Sequence, residues 1–335
     1  MAVRSLVIAT TMSACAGTYG GQPPAHGPRQ APGIEAAALP YAIVDARTGH
    51  AVDTAAFWSK LATERAVCVG EEHSNPHHHW IELEVAKHLL PAWHHSALGL
   101  EMIQRPFQGV LDDYAAKRID DVALRARVGW EERWGYDFGF YAPTIAVALG
   151  ANAALVALDA ATELTKQVAH HGIASLSPDQ QARLPELDLH DAKHRAWFDA
   201  LMAEMGGSEA HTHVVHAPAG SDADSDAGSD ADADADAAEM PSADDIYAVQ
   251  VIWDETMADT AAKWLAAHPD GHMLILAGTG HCHDSAIVGR LKRRGIADVV
   301  SVRTVSDSDV SDALVTPIND FLVVLRMPPT ADAKH

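Results

Sequence analysis

Short, continuous apolar runs alternate with stretches of helical periodicity from about residue 41 onward. The runs are Ala66-Val67-Cys68-Val69, Ala97-Leu98-Gly99-Leu100, Ala154 to Leu158, Met273 to Ala277, Val299 to Val302 and Phe321 to Leu325. Continuous rather than alternating hydrophobicity predicts strands buried on both faces. Between them, Asn75 before Pro76 reads as an N-cap and first-turn proline, opening a helix to about Leu90 with Ile81, Val85 and Leu89 on one stripe. Pro106 likewise opens a helix through Val110, Leu111 and Tyr114, and residues 137–150 and 246–267 are further helices. In the last of these, Ile246, Val249, Trp253, Met257 and Trp264 recur at helical spacing and read as core packing. The expected fold is α/β, a mostly parallel central sheet flanked by helices.

Two segments fall outside this pattern. The chain opens MAVRSLVIATTMSACAG, an Arg, a short apolar run and small residues ahead of Cys15, which resembles a bacterial lipoprotein signal with Met12-Ser13-Ala14-Cys15 as its box. The run is shorter than the ~20 residues that span a bilayer, so it reads as a cleaved signal, with Cys15 the lipidated residue. Residues 16–40 are rich in Gly and Pro and read as a tether, and Ala16 after the cysteine favours the outer membrane. The expected organisation is signal and box over 1–15, tether over 16–40, and one α/β domain over 41–327.

The second segment, 206–244, carries few large apolar residues and reads as a disordered insertion. It also changes the meaning of the charge. Of the net −22, ten charges belong to carboxylates between Asp222 and Asp245, which leaves the body at −12. That balance excludes a nucleic-acid backbone as the main partner. The Asp run with His211, His213 and His216 lacks the Gly turn and terminal Glu of a calcium loop and reads as solvated chain.

In an open parallel sheet, ligands bind beyond the carboxyl ends of the strands. Four strand candidates end in ionisable groups: Gly70-Glu71-Glu72-His73, Glu101 with Arg105 a turn later, Asp159, and Gly278-Thr279-Gly280-His281. Two of these share the pattern Gly-x-x-His, in which a glycine lets the chain turn so that the histidine points back over the sheet edge. His73 and His281 with Glu71 and Glu101 make a nitrogen and oxygen set suited to Zn, Mn, Fe or Co, and Arg105 can pair with a carboxylate. A second cluster, Trp130-Glu131-Glu132-Arg133-Trp134-Gly135-Tyr136-Asp137-Phe138 with Tyr141, suits either a pocket for a flat ligand, including haem through a Tyr oxygen, or aromatic packing at the sheet edge. The triplet His77-His78-His79 points in different directions on a helix and cannot form one tight site; His78 and Glu82 are expected to pair on an exposed face. Cys68 and Cys282 lie beside the strand-end turns. Free buried thiols are the expectation, with a disulfide the alternative.

Five blocks in order, Val69 to His79, Leu98 to Gln108, Trp130 to Phe138, Gln250 to Ala258 and Leu276 to His281, resemble the ChaN-like haem-binding lipoproteins of the Tiki superfamily, over roughly residues 41–300. The 206–244 insertion and a second histidine at His283 depart from the family pattern. The resemblance implies a lipid-anchored outer-membrane protein that binds haem for iron acquisition, as a homodimer around the ligand and in exchange with an outer-membrane haem receptor. It also implies kinship with metal-dependent hydrolases such as Tiki-type proteases and erythromycin esterases, which carries over to Glu71, His73, Glu101, Arg105 and His281. No motif assigns the haem ligand; Tyr247 is the first candidate, then Tyr136 and Tyr141. Two functions of different class follow: a haem-binding uptake protein, and alternatively a metal-dependent peptidase or esterase with Glu71 or Glu101 as base.

Overall fold

A computed structural model describes residues 33–204 and 241–328. Cys15, the signal, and most of the 206–244 segment lie outside the described residues. Eight strands form one sheet in the order β2-β1-β8-β7-β3-β6-β4-β5. They span Tyr41–Asp45 (β1), Ala51–Val52 (β2), Ala66–Glu71 (β3), His95–Gln104 (β4), Ala154–Asp159 (β5), Gly271–Gly278 (β6), Val299–Ser306 (β7) and Phe321–Leu325 (β8). From β8 to β5 every neighbouring pair is parallel, while β1 runs antiparallel to β8 and β2 antiparallel to β1. The sheet is therefore mixed, with its parallel body where the apolar runs predict it.

Every residue of β3 is buried, and so is every residue of β4 after His95, which explains their unbroken hydrophobicity. One face packs on helices Pro76–Leu89 and Phe138–Gly150 through Ile81, Val85, Leu89, Tyr141 and Ile145. The other packs on the 25-residue helix Ala243–Ala267 and on Ile287–Arg293 through Met257, Ala261, Leu265 and Leu291. Asn75 caps the first helix by accepting the His77 N–H, with Pro76 behind it, as its sequence predicts. Ser242 caps the long helix by accepting the Asp245 N–H, so the helix begins at Ala243, inside the segment read as insertion. The tether reading over 16–40 needs a similar correction at its end. Residues Ile34–Ala37 form a 3-10 turn and Ile34 is buried, so this part belongs to the folded body.

Cys68 of β3 and Cys282 form a disulfide, with Cα atoms 5.4 Å apart. The expectation of free thiols is corrected. The bond ties β3 to the turn carrying His281 across 214 residues of sequence. No helix among the described residues is long and apolar enough to cross a membrane.

Candidate functional site

The two Gly-x-x-His turns lie side by side because β3 and β6 are neighbours in register, Glu71 opposite Gly278. The glycines serve this approach. Neither has a positive φ; a Cβ on Gly70 would stand 3.1 Å from the Thr279 Cα, and one on Gly278 would stand 2.9 Å from Cε1 of His73. The next strand contributes as well. The Gly278 N–H donates to Glu101 Oε2 of β4 at 2.6 Å, and the Thr279 N–H donates to the Glu71 carbonyl at 2.8 Å.

Each histidine is held from behind by a carboxylate. His73 Nδ1 lies 2.7 Å from Glu71 Oε1, which also accepts the Tyr141 hydroxyl at 2.7 Å. His281 Nδ1 lies 2.7 Å from Asp254 Oδ1 on the long helix, and its Nε2 faces Glu101 Oε1 at 3.3 Å. A carboxylate on Nδ1 fixes the ring and leaves Nε2 for a ligand. Burial opposes charge on His281, but Glu101, Asp254 and Asp159 outweigh it and push its pKa up to about 9. Burial likewise opposes charge on His73, and Glu71 and Glu101 raise its pKa. At Asp159, burial and then the Glu101 charge hold the carboxyl protonated well above its ordinary range.

These groups line a cavity of about 340 Å³ at the carboxyl ends of β3 to β6. His73, Glu101, Asp159 and His281 form its floor, Arg133, Trp134 and Tyr136 one side, and Leu201, Val249 and Trp253 another. The His73 ring is 4.7 Å from Trp134 and 4.9 Å from Tyr136. Arg133 is aimed by Gln104 Oε1 at 3.0 Å and Glu163 Oε1 at 2.5 Å. Lys166 sits exposed on the wall.

Four expected site residues lie elsewhere. Tyr247 is 3% exposed and its hydroxyl faces His194 Nδ1 at 3.2 Å, in a cluster behind the long helix, so the first candidate for the haem ligand is off the wall. Tyr141 is fully buried against Glu71. Glu71 is buried behind His73 rather than lining the cavity. Arg105 turns away, donating to the Arg183 carbonyl at 2.8 Å and lying 3.5 Å from Asp259. The pairing expected of His78 is also corrected. His78 is buried and its Nδ1 accepts the Glu72 N–H, while Glu82, also buried, faces His79. Sequence reasoning missed Asp254 and Gln104, which lie inside two of the family-like blocks but were given no role, and Lys166, which had no signal.

Among solved structures, the chain is similar to that described as cofacial heme binding to ChaN of Campylobacter jejuni, with 14% identity over 86% of this chain and 97% of that one and a TM-score of 0.60, a likeness of fold. The type III effector HopBA1 covers 89% of this chain and 100% of its own at 10% identity, with a TM-score of 0.40. No curated protein matches. The family model described as haem-binding uptake, Tiki superfamily, ChaN matches residues 57–291, and the chain belongs to that family.

Proposed function

We propose that this protein binds haem in the strand-end cavity and serves haem and iron uptake as a lipid-anchored protein of the outer membrane. The observation that carries the reading is the cavity wall itself. Trp134, Tyr136, Val249, Leu201 and Trp253 supply apolar and aromatic surface for a flat macrocycle, while His73, His281 and Tyr136 bring donor atoms suited to iron beside it. Tyr136 is the tyrosine of that wall and takes the place of Tyr247 as the candidate ligand, since a phenolate oxygen is a hard donor suited to ferric iron. Arg133 and Lys166 offer cations to the two propionates.

The cavity is near the lower end of the ~300–1,000 Å³ typical of ligand pockets. A macrocycle seated in it projects outward, and a second copy of the chain covers the exposed face, in keeping with the cofacial haem described for the Campylobacter protein. The Cys68–Cys282 disulfide supports a compartment outside the cytoplasm, where such bonds persist.

Haemin titrated into the full chain is expected to give a saturable Soret shift, and Tyr136→Phe is expected to remove the phenolate signature. Non-saturable partitioning would overturn the reading.

A second reading, a metal-dependent hydrolase, is favoured by one observation: two histidines with carboxylate-backed Nδ1 atoms flank Gly278 beside Glu101. His73, His281 and Glu101 would hold the ion, which would supply a polarised water. Glu71 orients His73, and Asp254 orients His281. Esterase and peptidase assays with Mn, Co or Zn test it, and activity insensitive to His73→Ala excludes it.

A further inference from the structure

Behind His73, on the side away from the cavity, three buried side chains converge: Glu71 at the end of β3, and His79 and Glu82 on consecutive turns of helix Pro76–Leu89. We infer that Glu71, His79 and Glu82 form a second, internal site for a divalent transition metal, zinc or manganese in chemistry, separate from the cavity.

The argument begins with the tautomer. His79 Nε2 lies 3.0 Å from the His73 carbonyl, which can only accept, so Nε2 carries a proton and Nδ1 faces the carboxylates. Nδ1 is 2.9 Å from Glu82 Oε2 and 3.2 Å from Glu71 Oε2, and one ligand atom from each residue lies within 4.8 Å of the others. Bonds of ~2.0–2.2 Å to a tetrahedral ion place its ligand atoms roughly 3.3 Å apart. Two of the three spacings therefore already match the ligand separations of an ion.

A single proton does not satisfy the same cluster. With Nδ1–H donating to Glu82 Oε2, the nearer oxygen, Glu71 Oε2 and Glu82 Oε1 are buried with no hydrogen-bond partner, and burial with the Glu71 charge pushes the Glu82 carboxyl well above its ordinary range, so without an ion the pair must hold a further proton. Buried carboxylate oxygens without a partner are costly. One divalent cation neutralises both carboxylates and takes the lone pair of Nδ1 at once. The ring is held for that task, stacked on Phe140 at 4.6 Å and edge-on to Tyr141 at 4.8 Å. Because Glu71 Oε1 also holds His73, the ion would fix the carboxylate that aims the cavity histidine.

The test uses the full chain purified without chelator. Elemental analysis is expected to find about one divalent ion per chain, and Co2+-loaded protein to show an X-ray absorption spectrum with a single imidazole in the first shell. Glu82→Gln is expected to lower bound metal by about tenfold or more while haemin binding stays saturable, and His73→Ala with His281→Ala is expected to keep the ion. Protein that takes up no Zn2+, Mn2+ or Co2+ overturns the inference. So does a spectrum with two imidazoles, or an ion lost with His73 and His281 but kept in Glu82→Gln, since both place the metal in the cavity. The absorption spectrum decides the matter in wild type even if Glu82→Gln does not fold.

Discussion

Asp254 Oδ1 stands 2.7 Å from His281 Nδ1, and this carboxylate is fully buried in the middle of the 25-residue helix Ala243–Ala267. Its other oxygen faces His194 Nε2 at 3.0 Å and the buried Arg290 guanidinium at 3.7 Å. Burial disfavours the Asp254 charge, but Arg290, His194 and His281 more than compensate and hold its pKa well below 3.8. His281 moves the other way, from 6.5 to about 9. A depressed acid contributes stability above its unfolded pKa and loses it as pH falls; a raised histidine contributes below its unfolded pKa and loses it as pH rises through the folded one. For haem-free, metal-free protein these two groups predict an unfolding free energy, read from urea titrations, that is highest near pH 5 to 6 and falls between pH 6.5 and 9 by roughly 3 kcal/mol. Asp254→Asn should flatten the alkaline limb and destabilise at neutral pH by about 3–5 kcal/mol, because Arg290 is left buried and undercompensated. A wild-type midpoint that rises from pH 6.5 to 9 would contradict the assignment.

The two glycines of the paired turns separate fold from site. An added Cβ at Gly70 meets backbone, the Thr279 Cα at 3.1 Å, with the Cys282 Cβ at 3.4 Å. At Gly278 it meets the outer edge of the His73 ring, whose side chain is 26% exposed and can shift at the expense of its Glu71 contact. Gly70→Ala should therefore cost about 1–3 kcal/mol of stability. Gly278→Ala should lower the melting temperature less than Gly70→Ala and alter the haemin spectrum. Thermal melts and titrations on both variants check this, and equal melting losses would show that His73 is as immobile as the backbone.

Reading the sequence located the parallel strands and not the antiparallel edge, for a physical reason. Strands covered on both faces are continuous apolar runs. In Tyr41–Asp45 only Ile43 is buried, and Ala51–Val52 is two residues long, so neither leaves a pattern. The cavity histidines were legible because their turns repeat. The buried partners were less so: Glu71 was read as a ligand or base rather than as the support of His73, and Asp254 and His79 acquire meaning only from what lies opposite them. The histidine triplet shows both sides of this. Its rings do diverge, His77 to the Ala37 carbonyl, His78 to the Glu72 N–H and His79 to Glu71 and Glu82, but divergence within the triplet did not prevent one member from joining a site with other elements.

The Cys68–Cys282 bond closes a long loop, and both residues are fully buried. Closing a loop of that length restricts the unfolded chain by about 5 kcal/mol in the chain-entropy model. Replacing both cysteines with alanine should lower stability by a substantial part of that amount. It should also loosen the His281 turn, read as faster amide exchange across residues 278–286. Unchanged urea midpoints for the double variant would show that packing alone holds β3 to this turn.

Lys166 and Arg133 offer the last test, because they concern the ligand's carboxylates and not its iron. Lys166 is exposed, so its attraction to a propionate is screened and amounts to roughly 0.2–1 kcal/mol. Arg133 is half-buried and already aimed by Gln104 and Glu163, so it pays less side-chain entropy on binding. Lys166→Ala should weaken haemin binding a few-fold, and less at high salt, whereas Arg133→Ala should weaken it more and retain that loss in salt. Haemin dimethyl ester, which lacks the free carboxylates but keeps the ring and iron, provides the control. If the propionates face these cations, the ester should bind wild type and Lys166→Ala equally. An ester that distinguishes the two proteins as strongly as haemin does would mean that Lys166 acts through the shape of the wall, and the propionates would then point elsewhere.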